Sequence, residues 1–265
     1  MEENYRRYPI GIQNFEQLRN RNCVYVDKTE LVYRLANTDS VYFLSRPRRF
    51  GKSLLVSTLE AYFQGKKDLF KGLAMERLEK DWNVYPVFHI DFSLTKYTTL
   101  FDLQEQLNLF LLRCEKVYGA EKEEKTPAAR LQGMIRRAYE QTGLPVVVLI
   151  DEYDAPLLDS NSNIPLQQEL RNELRKFFSP LKGLGQYLRF LFITGISKFS
   201  QMSIFRYRNR TFGIGPAFNQ TESIPYLVVA RYAASPSGSC WTSFVRTLSG
   251  WLWRTARRMK LPVRI

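Results

Sequence analysis

The chain has 265 residues, room for one large domain, and its make-up of 45% hydrophobic, 14% aromatic and 25% charged residues excludes a disordered or fibrous protein. No run of 18 apolar residues occurs, so no membrane-spanning helix is expected, and the polar stretch Met1–Pro9 does not read as a signal peptide. The net charge of +13 is local: residues 206–265 hold nine Arg, one Lys and one acid, which leaves 29 basic and 25 acidic groups before them and no chain-wide basic surface for nucleic acid. Cys23, Cys114 and Cys240 are too scattered for a zinc knuckle or a disulfide framework and read as free thiols of a cytoplasmic protein.

Along the chain, an apolar run at Cys23–Val26 precedes a helical stretch, Lys28–Ala36. Ser40–Leu44 (SVYFL) reads as a buried strand, Ser45–Phe50 as a basic loop, and Leu54–Phe63 as a helix closed by Gly65. Val84–Phe92 is a second strand. Leu103, Leu107, Phe110, Leu111 and Cys114 then recur at helical spacing. Thr126-Pro127 supplies a hydroxyl cap and a first-turn proline for a further helix, which Gly143 ends. Val146–Ile150 (VVVLI) is continuous and apolar, as in a strand buried on both faces of a parallel sheet. After a turn at Asp159–Asn163, Leu166, Leu170, Leu174, Phe177 and Phe178 mark a helix, and Leu188–Ile193 a fourth strand. Strands alternating with helices predict a three-layer α/β domain with a mainly parallel central sheet.

Three segments at the C-terminal ends of these strands carry the chemistry, where open α/β sheets bind ligands. The first is Arg46-Pro47-Arg48-Arg49-Phe50-Gly51-Lys52-Ser53, running into Leu54. A strand–loop–helix ending in Gly-Lys-Ser offers backbone N–H groups and a lysine to phosphates and a hydroxyl to Mg²⁺. The first glycine of such loops is replaced here by Arg46. The second segment is the Val146–Ile150 strand ending in Asp151-Glu152: Asp151 is expected to join Ser53 in holding Mg²⁺, and Glu152 to orient or deprotonate an attacking water. In the third, Thr194 is the first candidate for sensing the terminal phosphate and Ser197 the second, against a hydroxyl-rich turn that merely satisfies backbone groups. His89 reads as a partly buried, hydrogen-bonded side chain and Asp91 as a helix cap. Arg171, Arg175 and Arg189 are candidate arginine fingers that no spacing separates.

Taken together, Tyr8–Gly11, Tyr25–Thr29, Arg46–Ser53, His89–Ser93, Leu149–Asp154 and Thr194–Lys198 resemble a bacterial family of AAA-ATPase-like proteins over about residues 8–205. Arg46 is usual in that family. The resemblance implies an AAA-type P-loop NTPase sheet with the phosphate-loop strand beside the Asp151 strand. It also implies that Tyr8–Gly11 and Val26–Thr29 lie near the nucleotide base, and that the nucleotide is ATP. Longer members carry a C-terminal domain resembling PD-(D/E)XK nucleases. None is recognised in this sequence, and nuclease activity is not carried over. The expected activity is ATP binding with Mg²⁺-dependent hydrolysis; a nucleotide-binding switch with negligible turnover is the alternative. A protein partner and a homo-oligomer are open expectations.

Residues 206–265 change character, with three of the four tryptophans (Trp241, Trp251, Trp253) among the basic side chains and no helical or strand period. Re-reading Cys240–Val263 from the third base of each codon allows an amphipathic, far less basic segment similar to the family's continuation. A frameshift is therefore expected, giving an ATPase domain over 1–205 and an atypical, poorly ordered tail over 206–265. The competing expectation is a basic segment that binds nucleic acid or anionic lipid.

Overall fold

The computed structural model describes residues 6–196. Residues 206–265, Ser197 and Cys240, with the expectations placed on them, lie outside the described residues.

Four strands, β1 (Val41–Ser45), β2 (Val87–Asp91), β3 (Val146–Asp151) and β4 (Leu188–Gly195), form one sheet in the order β1-β4-β3-β2, with every pairing parallel. Eight α-helices accompany them among the described residues: α1 (Phe15–Asn20), α2 (Thr29–Thr38), α3 (Lys52–Phe63), α4 (Ala74–Leu78), α5 (Leu100–Tyr118), α6 (Pro127–Thr142), α7 (Ala155–Asp159) and α8 (Ile164–Phe178). This is the expected α/β, three-layer P-loop NTPase class.

Alternation along the strands builds the layers, because successive side chains leave opposite faces of the sheet. Phe43, Phe88, Ile90, Val146, Val148, Ile150, Leu191 and Ile193 join a core covered by α5, α6, α7 and α8. Tyr42, Leu44, Val147, Leu149, Phe190 and Phe192 join a second core with α1, α2, α3 and α4.

One expectation is corrected by the topology. The phosphate-loop strand β1 does not lie beside β3: β4 stands between them, pairing Ser45 with Gly195 on one side and Ile150 with Ile193 on the other. Burial gives the reason. Every residue of β3, and Phe190–Gly195 of β4, is buried, whereas β2 alternates buried with half-buried positions, including His89 and Asp91. Continuous apolar runs take the centre of a sheet and a polar alternation takes an edge. The second strand is also shorter than the expected Val84–Phe92. Pro86 has no N–H to donate, although its carbonyl still accepts from Val147 N at 2.9 Å, and Phe92 turns away into a 3₁₀ turn capped by Asp91.

Local signals set the helix ends. Thr99 and Asp102 form a capping box on α5, Thr126 caps α6 with Pro127 in its first turn, and Gly143 closes α6 at φ 68°. Helix α3 begins at Lys52, two residues before the expected Leu54, directly after Gly51 at φ 73°.

Candidate functional site

The loop between β1 and α3 owes its shape to two left-handed residues, Arg49 (φ 69°) and Gly51 (φ 73°). Glycine adopts this conformation freely and arginine at some cost. Arg46, which replaces the expected first glycine, is not left-handed: its N–H donates to Gly195 O at 3.1 Å and extends the β1–β4 ladder. No glycine is required there. Pro47, Arg48 and Arg49 are exposed, Phe50, Ser53 and Leu54 half-buried, and Lys52 is buried at the start of α3.

The Lys52 ammonium has three N–H donors. They meet Arg46 O at 3.1 Å, Pro47 O at 3.2 Å and Glu152 Oε1 at 2.9 Å. Thr194 Oγ1 donates to the buried Asp151 carboxylate, and the Ser53 hydroxyl helps to hold the pKa of that carboxylate down. The Thr194 hydroxyl also accepts from Glu152 N at 3.2 Å, and Thr194 O accepts from Tyr153 N at 2.9 Å. The strands thus bring the three segments to one edge: Lys52 and Ser53 from the loop, Asp151 and Glu152 from β3, and Thr194 from β4, whose central place puts its hydroxyl against Asp151. Glu152 is itself left-handed, at φ 51°, a strained conformation for a residue with a side chain.

Electrostatics follow the burial. Desolvation raises the pKa of Asp151, opposed by the hydroxyls of Thr194 and Ser53, while the Asp91 charge adds to the rise. Desolvation likewise raises Glu152, opposed by Lys52 and reinforced by Asp151 and Asp154. His89 Nδ1 lies 3.0 Å from Glu60 Oε2 on α3. Burial lowers the pKa of the imidazole, but Glu60, Asp151 and Asp91 together outweigh it and hold the pKa above its ordinary value. Asp91 accepts from Ser93 N at 2.8 Å, which is the expected cap.

A cleft of about 480 Å³ opens above Lys52, within the usual range of small-molecule sites. Arg48, Arg49, Ser53, Leu54 and Glu152 line it together with Pro9, Ile12, Gln13 and Val24–Val26. The segments expected near a nucleotide base divide here. Pro9 and Val26 face the cleft, but Asp27 is spent on Thr29 N and Ala74 N, and Thr29 Oγ1 accepts from Met75 N at 3.0 Å. These two polar groups tie α2 to α4.

Arg189 is at the wrong end of β4 for a finger on this site, about five residues or roughly 16 Å from Thr194. It stacks 6.0 Å from the rings of Phe63 and Tyr85 and donates to Asn37. Arg171 donates to Gln167 within α8 at 3.4 Å, and Arg175 lies on the same helix. Asp154 was given no role from sequence. It is buried and its carboxylate accepts from Ile196 N at 3.2 and 2.9 Å. Its signal in the sequence was the third acid of Asp151-Glu-Tyr-Asp154, but only its partner on another strand reveals its use.

Among the described residues no helix is long and apolar enough to cross a membrane, and no three His, Cys, Asp or Glu side chains gather as a metal cluster. Cys23 and Cys114 are free thiols. No solved structure matches the chain. An uncharacterized protein encoded in the vnfD 5' region of Azotobacter chroococcum mcd 1 is 38% identical over 202 residues, which is 76% of this chain and 39% of that protein. The chain therefore spans about two-fifths of the relative's length. The family described as "Predicted AAA-ATPase" matches residues 9–205, and on that match the chain belongs to the AAA-ATPase-like family.

Proposed function

We propose that residues 1–205 bind ATP with Mg²⁺ and hydrolyse it. The observation that carries this reading is the buried Lys52 ammonium at the helix start, 2.9 Å from Glu152 and beside Asp151, Ser53 and Thr194. Family membership supports nucleotide binding in general terms. The donor set fits the group: one hydroxyl and one carboxylate oxygen suit a hard cation that takes its remaining ligands from phosphate and water. Mg²⁺, when bound, neutralises charge developing on the phosphates.

In this reading the N–H groups from Arg48 to Leu54, where the loop runs into the N-terminus of α3, hold the phosphates, with the Arg48 and Arg49 side chains at the rim; the Arg46 N–H is engaged by Gly195 O and Pro47 has none. Lys52 exchanges one of its present acceptors for a phosphate oxygen. Ser53 and Asp151 hold the cation. Glu152, once Lys52 has turned to phosphate, orients an attacking water and takes its proton; burial, which raises its proton affinity, favours that role. Thr194, fixed on Asp151 and on the backbone of Glu152, reads the terminal phosphate position.

A second reading, a nucleotide-binding switch with negligible turnover, draws on the same ion pair, because Lys52 and Glu152 occupy one another. ATP binding and steady-state turnover by the full chain, beside Lys52→Ala and Glu152→Gln, separate the two. Turnover beyond one equivalent that both variants abolish, with Glu152→Gln still binding ATP, supports hydrolysis. Binding without turnover supports the switch, and no binding by the folded wild type refutes both. Nucleic-acid binding through residues 206–265 remains a separate proposal; binding that survives their deletion would refute it.

A further inference from the structure

Residues 194–196 at the end of β4 are gripped from two sides. On one side Ser45 Oγ donates to Ile196 O at 2.8 Å and Arg46 N to Gly195 O at 3.1 Å, where the phosphate loop begins. On the other, Glu152 N and Tyr153 N donate to the hydroxyl and carbonyl of Thr194, and Asp154 accepts from Ile196 N with both oxygens. The fit leaves no slack. A Cβ on Gly195 would stand 2.7 Å from Asp154 Oδ1 and closer still to the Tyr153 ring. Gly195 is thus needed for close approach rather than for a special φ.

Asp154 also sits at the N-cap of α7, the usual employment for an aspartate in this place. Its side chain makes no capping hydrogen bond to that helix. A fully buried carboxylate is costly unless it is hydrogen-bonded, and a small apolar residue would fill the space at less cost. The carboxylate is directed across the sheet edge at Ile196 N–H, a third link between the end of β4 and the turn carrying Glu152, beside the two bonds to Thr194. That turn is strained at Glu152 (φ 51°) and is held there by the two bonds to Thr194.

We propose that Asp154 is a positioning residue for Glu152: by clasping Ile196 N–H it holds the end of β4 in the register in which Thr194 keeps the strained Glu152 backbone aimed at the cleft. This inference rests on the hydrolysis reading, and adds to it a residue that touches neither nucleotide nor water. Asp154 acts on the step that uses Glu152 and not on nucleotide capture, which belongs to the loop and Lys52.

The test uses the full chain, with kcat from steady-state ATP turnover, Kd from a fluorescent ATP analogue, and thermal melts to certify folding. Asp154→Ala is expected to lower kcat at least about tenfold with Kd within about threefold, the signature of a lost transition-state contribution. Asp154→Asn, whose carbonyl oxygen can still accept from Ile196 N, should recover most of the loss. If Asp154→Ala does not fold, Gly195→Ala disturbs the same clasp by crowding the Asp154 carboxylate rather than removing it, and should give the same split. A folded Asp154→Ala or Gly195→Ala with wild-type kcat overturns this inference and leaves the hydrolysis reading standing. Equal losses in kcat and affinity would reduce Asp154 to packing and also overturn it. A wild type that binds nucleotide without turning it over refutes the hydrolysis reading and this inference with it.

Discussion

Replacing Lys52 with alanine leaves the Glu152 carboxylate facing Asp151 and Asp154 with its counter-charge gone. The pair stands at 2.9 Å, with side-chain exposures of 2% and 16%. At an effective dielectric of about 20, the attraction at that separation is about 5–6 kcal/mol. Desolvation of both charges cancels most of it, so the pair itself adds little net stability. Removing one partner is a different matter. The survivor is stranded, at a cost of about 3–5 kcal/mol when fully buried, and about 2–3 kcal/mol is the fitting estimate for a carboxylate that opens onto a cleft. In a domain of roughly 200 residues each kcal/mol moves Tm by about 2–4 °C, so nucleotide-free Lys52→Ala should melt about 4–12 °C below wild type. Glu152→Gln retains an acceptor for the ammonium and should change Tm less. The decisive comparison is the double variant, in which no charge is stranded. It should be more stable than Lys52→Ala alone by about 1–2 kcal/mol, a coupling that calorimetry or circular-dichroism melts in a double-mutant cycle would read. Additive single effects, or a Lys52→Ala melt within about 1 °C of wild type, would show that the two groups are not coupled in the resting protein.

Two pH dependences of opposite sign follow from named pairs. Arg130 grips Glu115 with two bonds, Nε–Oε1 at 2.6 Å and Nη2–Oε2 at 2.8 Å, and holds the Glu115 pKa below its ordinary 4.5. Its contribution is present above that value and is lost as the pH falls through the lower, folded-state pKa, so the stability gap between wild type and Glu115→Gln should close under acid. For His89 the folded-state pKa is raised, despite burial, by Glu60, Asp151 and Asp91. Its contribution is complete below the ordinary 6.5 and is lost as the pH rises through the folded-state value. The gap between wild type and His89→Gln in denaturant melts should therefore shrink on going alkaline. A gap that stays constant, or moves the other way, would contradict the assignment of charge to that pair.

Much of this site was legible in local pattern. A lysine and a hydroxyl after a glycine, set between a strand and a helix, and two acids after a continuous apolar run can be read from sequence because strand, turn and helix are short-range properties. The largely apolar run Leu188–Ile193 likewise foretold a strand followed by Thr194. The cap at Asp91 and the hydrogen-bonded His89 were also within reach, since polar residues in a half-buried strand must find partners.

What local pattern does not contain is adjacency. That β4 lies between β1 and β3 is a matter of which strands bury both faces, decided by all four strands and both helix layers together. The same order explains why Arg46 can replace glycine: its N–H is engaged by Gly195, a residue about 150 positions later in the chain. It also explains why Arg189, on the same strand as Thr194, is out of reach of the site. Lys52 and Glu152 were each expected in the site, but their pairing required α3 and β3 to converge on one edge. Asp154 carried no role in the sequence, and its use appears only once Ile196 stands beside it. The sequence by itself determined the elements and the chemistry of each strand end, because those depend on neighbours a few residues away. The tertiary structure alone decided which ends meet, because burial and hydrogen-bond satisfaction are settled across the whole sheet.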